Sequence, residues 1–136
     1  MTDDLLVVQG LKVYFPVGNR LFRKSKTFVK AVDDISFRVK KGETLGIVGE
    51  SGCGKSTMGR SILRLIEPTA GSVRFKGREI TDLPKDELRK MRSEMQIVFQ
   101  DPYASLNPQL TVESILAEAL ATHHIGQNAK ERKEMI

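Results

Sequence analysis

Short apolar runs of two different periods organise the chain. Leu11, Val13 and Phe15, and later Ile35, Phe37 and Val39 against Ser36, Arg38 and Lys40, repeat every second residue over β-branched and aromatic positions, which is the period of a half-buried strand. Two antiparallel strands are therefore predicted. Pro16-Val17-Gly18-Asn19 and the basic run Arg20, Arg23, Lys24, Lys26, Lys30 read as the loop between them, and Lys41-Gly42 as the closing turn. Thr44 to Val48 is nearly continuously apolar, the pattern of a strand buried on both faces of a parallel sheet, and Met95 to Phe99 reads the same way.

Met58, Ile62, Leu65 and Ile66 recur at helical spacing, so a helix is predicted over 55–66, stopped by Glu67-Pro68-Thr69-Ala70-Gly71. Ser72 to Phe75 with a Lys76-Gly77 turn suggests an edge strand, and Pro84 suits the first turn of a helix running to about Arg92. Thr111 can cap a last clear helix with Ile115, Leu116, Ala119 and Leu120 on one face, fading near His123-His124-Ile125-Gly126. The segment Asn128 to Ile136 is charged and helix-prone.

Composition narrows the class. With 136 residues, 40% apolar and 29% charged, the chain is about one globular domain, and wholesale disorder is excluded. Apolar stretches such as Leu5 to Val8 fall far short of the ~18 residues of a membrane span. The acidic start Met1-Thr2-Asp3-Asp4 is unlike a secretory signal, so a cytosolic chain is expected. The one cysteine, Cys53, supports neither an internal disulfide nor a cysteine metal cluster. The net charge of +5 arises wholly in residues 1–68. The basic run there lacks a helical stripe or interleaved stacking aromatics beyond Phe22 and Phe28, and reads as a solvated loop rather than a nucleic-acid surface.

One motif carries chemistry. Gly49-Glu50-Ser51-Gly52-Cys53-Gly54-Lys55-Ser56-Thr57 matches the phosphate-binding loop G-x-x-x-x-G-K-[ST], between a predicted strand and a predicted helix start. The glycines let the backbone wrap an oxyanion, and successive N–H groups at the helix N-terminus point at the α- and β-phosphates. Lys55 supplies a point charge for the β- and γ-phosphates, Ser56 a hydroxyl for Mg²⁺ and Thr57 a reach to the α-phosphate. An Asn-Lys-x-Asp guanine signature does not occur in the 136 residues, so the expected nucleotide is ATP.

Beyond the loop, the segments LKVYFPV, VKAVDDISFRVKKGETLGIVGESGCGKST, ILRLIEPTAGSVRFKG and above all VFQDPYASLNP resemble the N-terminal half of ATP-binding subunits of ABC transporters, of the oligopeptide/dipeptide importer class. The resemblance covers practically the whole chain. It implies an α/β P-loop NTPase core with an antiparallel β flank and the start of a helical subdomain, truncated, divided as 1–43, 44–99 and 100–136. By the same resemblance Gln100 is the Q-loop glutamine, a catalytic residue that touches Mg²⁺ and the attacking water, and the segment from Gln100 to Pro108 docks on membrane-spanning permease subunits. An aromatic near the end of the first strand stacks on adenine in such subunits, a place given first to Phe15, with Tyr14 in reserve.

The resemblance further implies a second ATP-binding subunit, identical or not, no nucleic-acid partner, and a peripheral location on the cytoplasmic face of the cell membrane. Three family elements are not found in these residues: the L-S-G-G-Q signature, an apolar strand ending in Asp-Glu, and the switch histidine. His123 and His124 lie at a helix end with no strand before them, so neither the switch role nor a metal role is assigned to them. The isolated chain is expected to bind ATP without hydrolysing it at an enzymatic rate. The competing reading is a nucleotide-binding or interaction module that does not turn over.

Overall fold

The computed structural model describes residues 3–17, 27–101 and 106–136. Most of the basic run and Pro102 to Ser105 of the loop after Gln100 lie outside these described residues. The chain divides into two compact units, Met1–Lys90 and Met91–Ile136.

The first unit is built on a four-stranded antiparallel sheet, β1 (Asp4–Val17), β2 (Thr27–Lys40), β3 (Ala70–Phe75) and β4 (Arg78–Glu79), in the order β2-β1-β3-β4. The predicted antiparallel pair is present and longer than its alternating core, and Lys30 belongs to β2 rather than to the loop. β3 is not an edge strand, since the two residues of β4 pair with it. Gly10 at φ 57° and Asp34 at φ 60° lie where the β1–β2 register shifts. Such bulges change which side a residue faces, so Val8 and Leu11, three apart, are both buried, and alternation resumes through Leu11 and Val13. With Val32, Val73, Phe75 and Ile80 they form the core, each such side chain contributing about 1.5–3 kcal/mol by leaving water.

Helix α1 (Lys55–Ile62) buries Met58 and Ser61. It ends four residues before the predicted stop. Leu65 N–H bonds the Arg60 carbonyl at 2.8 Å, Arg64 N–H bonds that of Ser61 at 3.0 Å, and Arg64 takes φ 52°, which is the left-handed closure more often made by glycine. The Arg64 side chain explains it: its guanidinium donates to the carbonyls of Ile80 (3.2 Å) and Leu83 (2.6 Å) and to Glu67 (2.8 Å). The helix turn is thereby fastened to the segment entering α2 (Lys85–Met91). Leu65, assigned to the apolar face by periodicity, is consequently exposed.

The two parallel strands expected over 44–48 and 95–99 are not formed. Both segments run without a ladder, Val48 is 95% exposed and Val98 93%. A doubly buried strand needs hydrogen-bonding neighbours on its flanks, and every strand pair among the described residues belongs to the antiparallel sheet. Their apolar character is therefore uncompensated here.

Among its described residues the second unit holds a 3₁₀ turn (Arg92–Glu94), α3 (Val112–Thr122) and α4 (Ala129–Met135). Thr111 caps α3 as expected, its hydroxyl accepting from Ser114 N–H at 3.2 Å, and Asn128 caps α4 through Glu131 N–H at 2.9 Å. α3 ends like α1: Ile125 N–H reaches the Leu120 carbonyl and His124 takes φ 55°. His123 and His124 are thus the closing residues of a helix. Among the described residues no group of three or more His, Cys, Asp or Glu could hold a metal ion, and no helix is long and apolar enough to cross a membrane.

Candidate functional site

The glycine-rich loop enters α1 through Gly54, which serves as N-cap at φ 98° without any side-chain cap. By helix geometry the first N–H groups have no intrahelical acceptor, and the first turn carries no acidic residue. The result is an uncapped, positively polarised helix end. Lys55 folds back over the loop, its Nζ donating to the carbonyls of Gly49 (2.7 Å) and Glu50 (2.6 Å) and lying 3.5 Å from Cys53 Sγ. Both acceptors are neutral, so an anion entering the loop competes for the ammonium without breaking an ion pair.

Tight packing holds the loop's shape. Cys53 N–H closes a turn on the Glu50 carbonyl, and a Cβ on Gly49 would stand 2.7 Å from Cys53 Sγ. At Gly54 a Cβ would stand 2.0 Å from the Ala31 carbonyl oxygen. The loop therefore rests directly on β2, and a cleft of about 210 Å³ between them is lined by Val32, Asp33, Ile47, Cys53, Lys55 and Met58, among others. Ser51, Gly52 and Ser56 are exposed and Thr57 is half-buried. The Ser56 hydroxyl has no hydrogen-bond partner among the described residues, which leaves it available as an oxygen donor to a hard cation.

The two candidate aromatics differ. Phe15 pairs with Val29 across the β1–β2 ladder and is 40% exposed. Val29 is two residues from Ala31, ~7 Å along β2, so this aromatic stands on the same strand pair that supports the loop. Tyr14 is committed elsewhere: its hydroxyl donates to Asp33 Oδ1, and Lys30 bonds Asp33 Oδ2 at 3.1 Å while lying 5.3 Å over the Tyr14 ring. The bond to Asp33 raises the pKa of both Tyr14 and Lys30, and the bonds from Tyr14 and Lys30 lower that of Asp33. Neither this network nor the Ala31 support was anticipated. The signal for the first was Asp33-Asp34, two turn-forming residues inside an alternating strand.

Gln100 is exposed in a bend of the second unit. Tyr103, in the expected permease-docking segment, lies outside the described residues, whereas Leu106 is half exposed.

The family model for ABC transporters matches residues 32–135. The chain belongs to the ABC transporter family. It is 50% identical over 135 residues to the oligopeptide transport ATP-binding protein AppF of Bacillus subtilis, covering 98% of this chain and 41% of that protein. Against the oligopeptide transport ATP-binding protein OppF of Escherichia coli the identity is 45% over 134 residues, covering 97% and 40%. This ABC transporter chain thus spans about two fifths of the length of these relatives. Among solved structures it resembles the dimeric cassette MJ0796, with TM-score 0.75, 28% identity, and coverage of 95% of this chain and 53% of that one. A post-hydrolysis dimer of the same cassette, bound to ADP and Pi, gives TM-score 0.72. The α/β P-loop core with antiparallel flank expected from the sequence is the fold class of these cassettes.

Proposed function

We propose that this chain is the nucleotide-binding part of an ATP-binding subunit that couples ATP binding and hydrolysis to import of peptides or similar small solutes. The observation that carries the reading is the uncapped start of α1 with the Lys55 ammonium held over it by two neutral carbonyls. In this reading residues 49–57 cradle the phosphates. Lys55 exchanges the Gly49 and Glu50 carbonyls for phosphate oxygens, and Phe15 stacks on adenine because Tyr14 is engaged by Asp33. Ser56 and Gln100 would hold Mg²⁺, which would offset phosphate charge. Gln100 also orients water.

The relatives' description as oligopeptide transport ATP-binding proteins supports the importer class. It also supports permease subunits as partners and a peripheral place on the cytoplasmic membrane face, and the dimeric cassettes support pairing with a second ATP-binding subunit. Residues 1–43, 44–99 and 100–136 then correspond to the β flank, the core, and the Q-loop with the start of the helical subdomain.

Calorimetric titration with Mg-ATP tests the reading. Lys55→Ala is expected to lower affinity about tenfold to a hundredfold, the worth of one charge-assisted contact, and unchanged affinity would overturn it. The second reading is a module that binds nucleotide without turnover. Groups that bind ground and transition states alike do not raise turnover. Single-turnover phosphate release from the full chain, at ~1 s⁻¹ or more and abolished by Lys55→Ala, would exclude that module.

A further inference from the structure

On the side of the sheet away from the core, β1, β2 and β3 bring a row of cations together. Val7 pairs with Arg38 on one side and with Arg74 on the other, and residues paired across strands share a face. The neighbouring row, Val8 with Phe37 and Val73, turns inward, with Val8 and Val73 both buried. Arg38 and Arg74 therefore flank Val7 about 10 Å apart, two strand spacings. Each guanidinium is steadied by a neighbour. Asp4, whose side chain is 11% exposed, lies 3.5 Å from Arg38, and Gln9 Oε1 accepts from Arg74 at 3.1 Å.

The turns at the same end of the sheet add two more cations. Lys41-Gly42 leaves β2, and Lys76-Gly77 joins β3 to β4 with positive φ at both residues. Lys76 N–H bonds the Leu5 carbonyl, which draws this second turn against the start of β1. Together with Asp3, Asp4, Leu5 and Val7, the four cations line a cleft of about 480 Å³, within the size range of small-molecule sites. Arg38, Lys41, Arg74 and Lys76 outnumber the two carboxylates, and the Lys41 ammonium makes no ion pair among the described residues.

We propose that this cleft is an anion site, separate from the loop at 49–57, that takes a phosphate-bearing group. Guanidinium forks suit bidentate oxyanions. The surplus of two positive charges calls for an anion of about −2, which a phosphomonoester or diphosphate carries near neutral pH and a lone carboxylate does not. A free phosphomonoester and the phosphomonoester headgroup of phosphatidic acid share this chemistry.

The test uses the full chain carrying Lys55→Ala, so that the glycine-rich loop contributes little. Titration with inorganic diphosphate is followed by the amide NMR signals of Gly42 and Gly77, in parallel with sedimentation against vesicles of phosphatidylcholine with and without phosphatidic acid. Saturable shifts at both glycines are expected, and Arg38→Gln with Arg74→Gln should weaken binding at least tenfold, whereas Arg60→Gln on α1 should leave it unchanged. Binding to vesicles that contain phosphatidic acid but not to pure phosphatidylcholine vesicles, competed by diphosphate, assigns a lipid headgroup. Response to diphosphate alone assigns a free compound. Should the double variant fail to fold, Lys41→Gln should still weaken binding severalfold. No shift with diphosphate and no preference for phosphatidic acid, or undiminished affinity in the folded variants, would overturn the proposal.

Discussion

Gly54 abuts the carbonyl of Ala31 so closely that a Cβ at position 54 would stand 2.0 Å from that oxygen. The obstacle is backbone within a paired strand, so it cannot yield as a side-chain tip would. Gly54→Ala, which also places alanine at φ 98°, is expected to cost about 2–4 kcal/mol in urea unfolding. Gly52→Ala meets nothing within 4 Å at φ 81° and should cost only about 1 kcal/mol.

The role proposed for Ser56 has a signature separate from that of Lys55. Ser56→Ala is expected to weaken ATP binding in the presence of Mg²⁺ and to leave Mg²⁺-free binding unchanged. Paired calorimetric titrations with and without the metal read the difference.

Cys53 is exposed, its sulfur 3.5 Å from Lys55 Nζ, inside the loop proposed to hold the phosphates. Saturating Mg-ATP should slow its alkylation by a maleimide severalfold. An unchanged rate would place the nucleotide elsewhere.

Arg64 is expected to matter for stability rather than for nucleotide binding. Its side chain, 14% exposed, donates to two backbone carbonyls sixteen and nineteen residues ahead. Arg64→Ala leaves those acceptors short of a donor and should cost about 1.5–3 kcal/mol, measured by the shift in urea midpoint with m unchanged.

Acid sensitivity should trace partly to Glu79. Burial opposes its ionisation, but bonds from the Ser72 and Thr81 hydroxyls and from Val73 and Thr81 N–H outweigh that and hold its carboxyl below the ordinary glutamate range. Because the folded-state value is depressed, the stabilisation is complete above the unfolded value of about 4.3 and is lost as pH falls through the lower folded value. Unfolding midpoints of Glu79→Gln should therefore fall less steeply than those of the unaltered chain below about pH 4.

What the sequence made legible was local. The strands marked by alternation in Leu11–Phe15 and Ile35–Val39, the Lys-Gly turns and the Thr111 cap each depend on a few adjacent residues and are formed, although Phe15 and Ile35 are exposed and the loop at 49–57 leads into its helix without the expected strand before it. The early end of α1 was hidden, because arginine is a good helix former and nothing adjacent reveals that Arg64 closes the helix to reach Ile80 and Leu83. The segments 44–48 and 95–99 show the opposite failure. Their apolarity reports a preference for burial, but a strand exists only where another chain segment lies alongside. That Tyr14 is engaged also needed three dimensions, since its partner Asp33 lies nineteen positions away.

The ladder between β1 and β3 has a kinetic meaning. It joins residues as far apart as Leu6 and Phe75, 69 positions along the chain, and the glycine-rich loop and α1 lie within the stretch it closes. Bringing those ends together costs roughly 4 kcal/mol of chain entropy beyond a constant term before the pairing returns any stabilisation. β1 and β2, joined by a short connection, are free to pair first. The arrival of β3 is then the expected slow step of refolding, with the surface on which Gly54 rests already formed when it occurs.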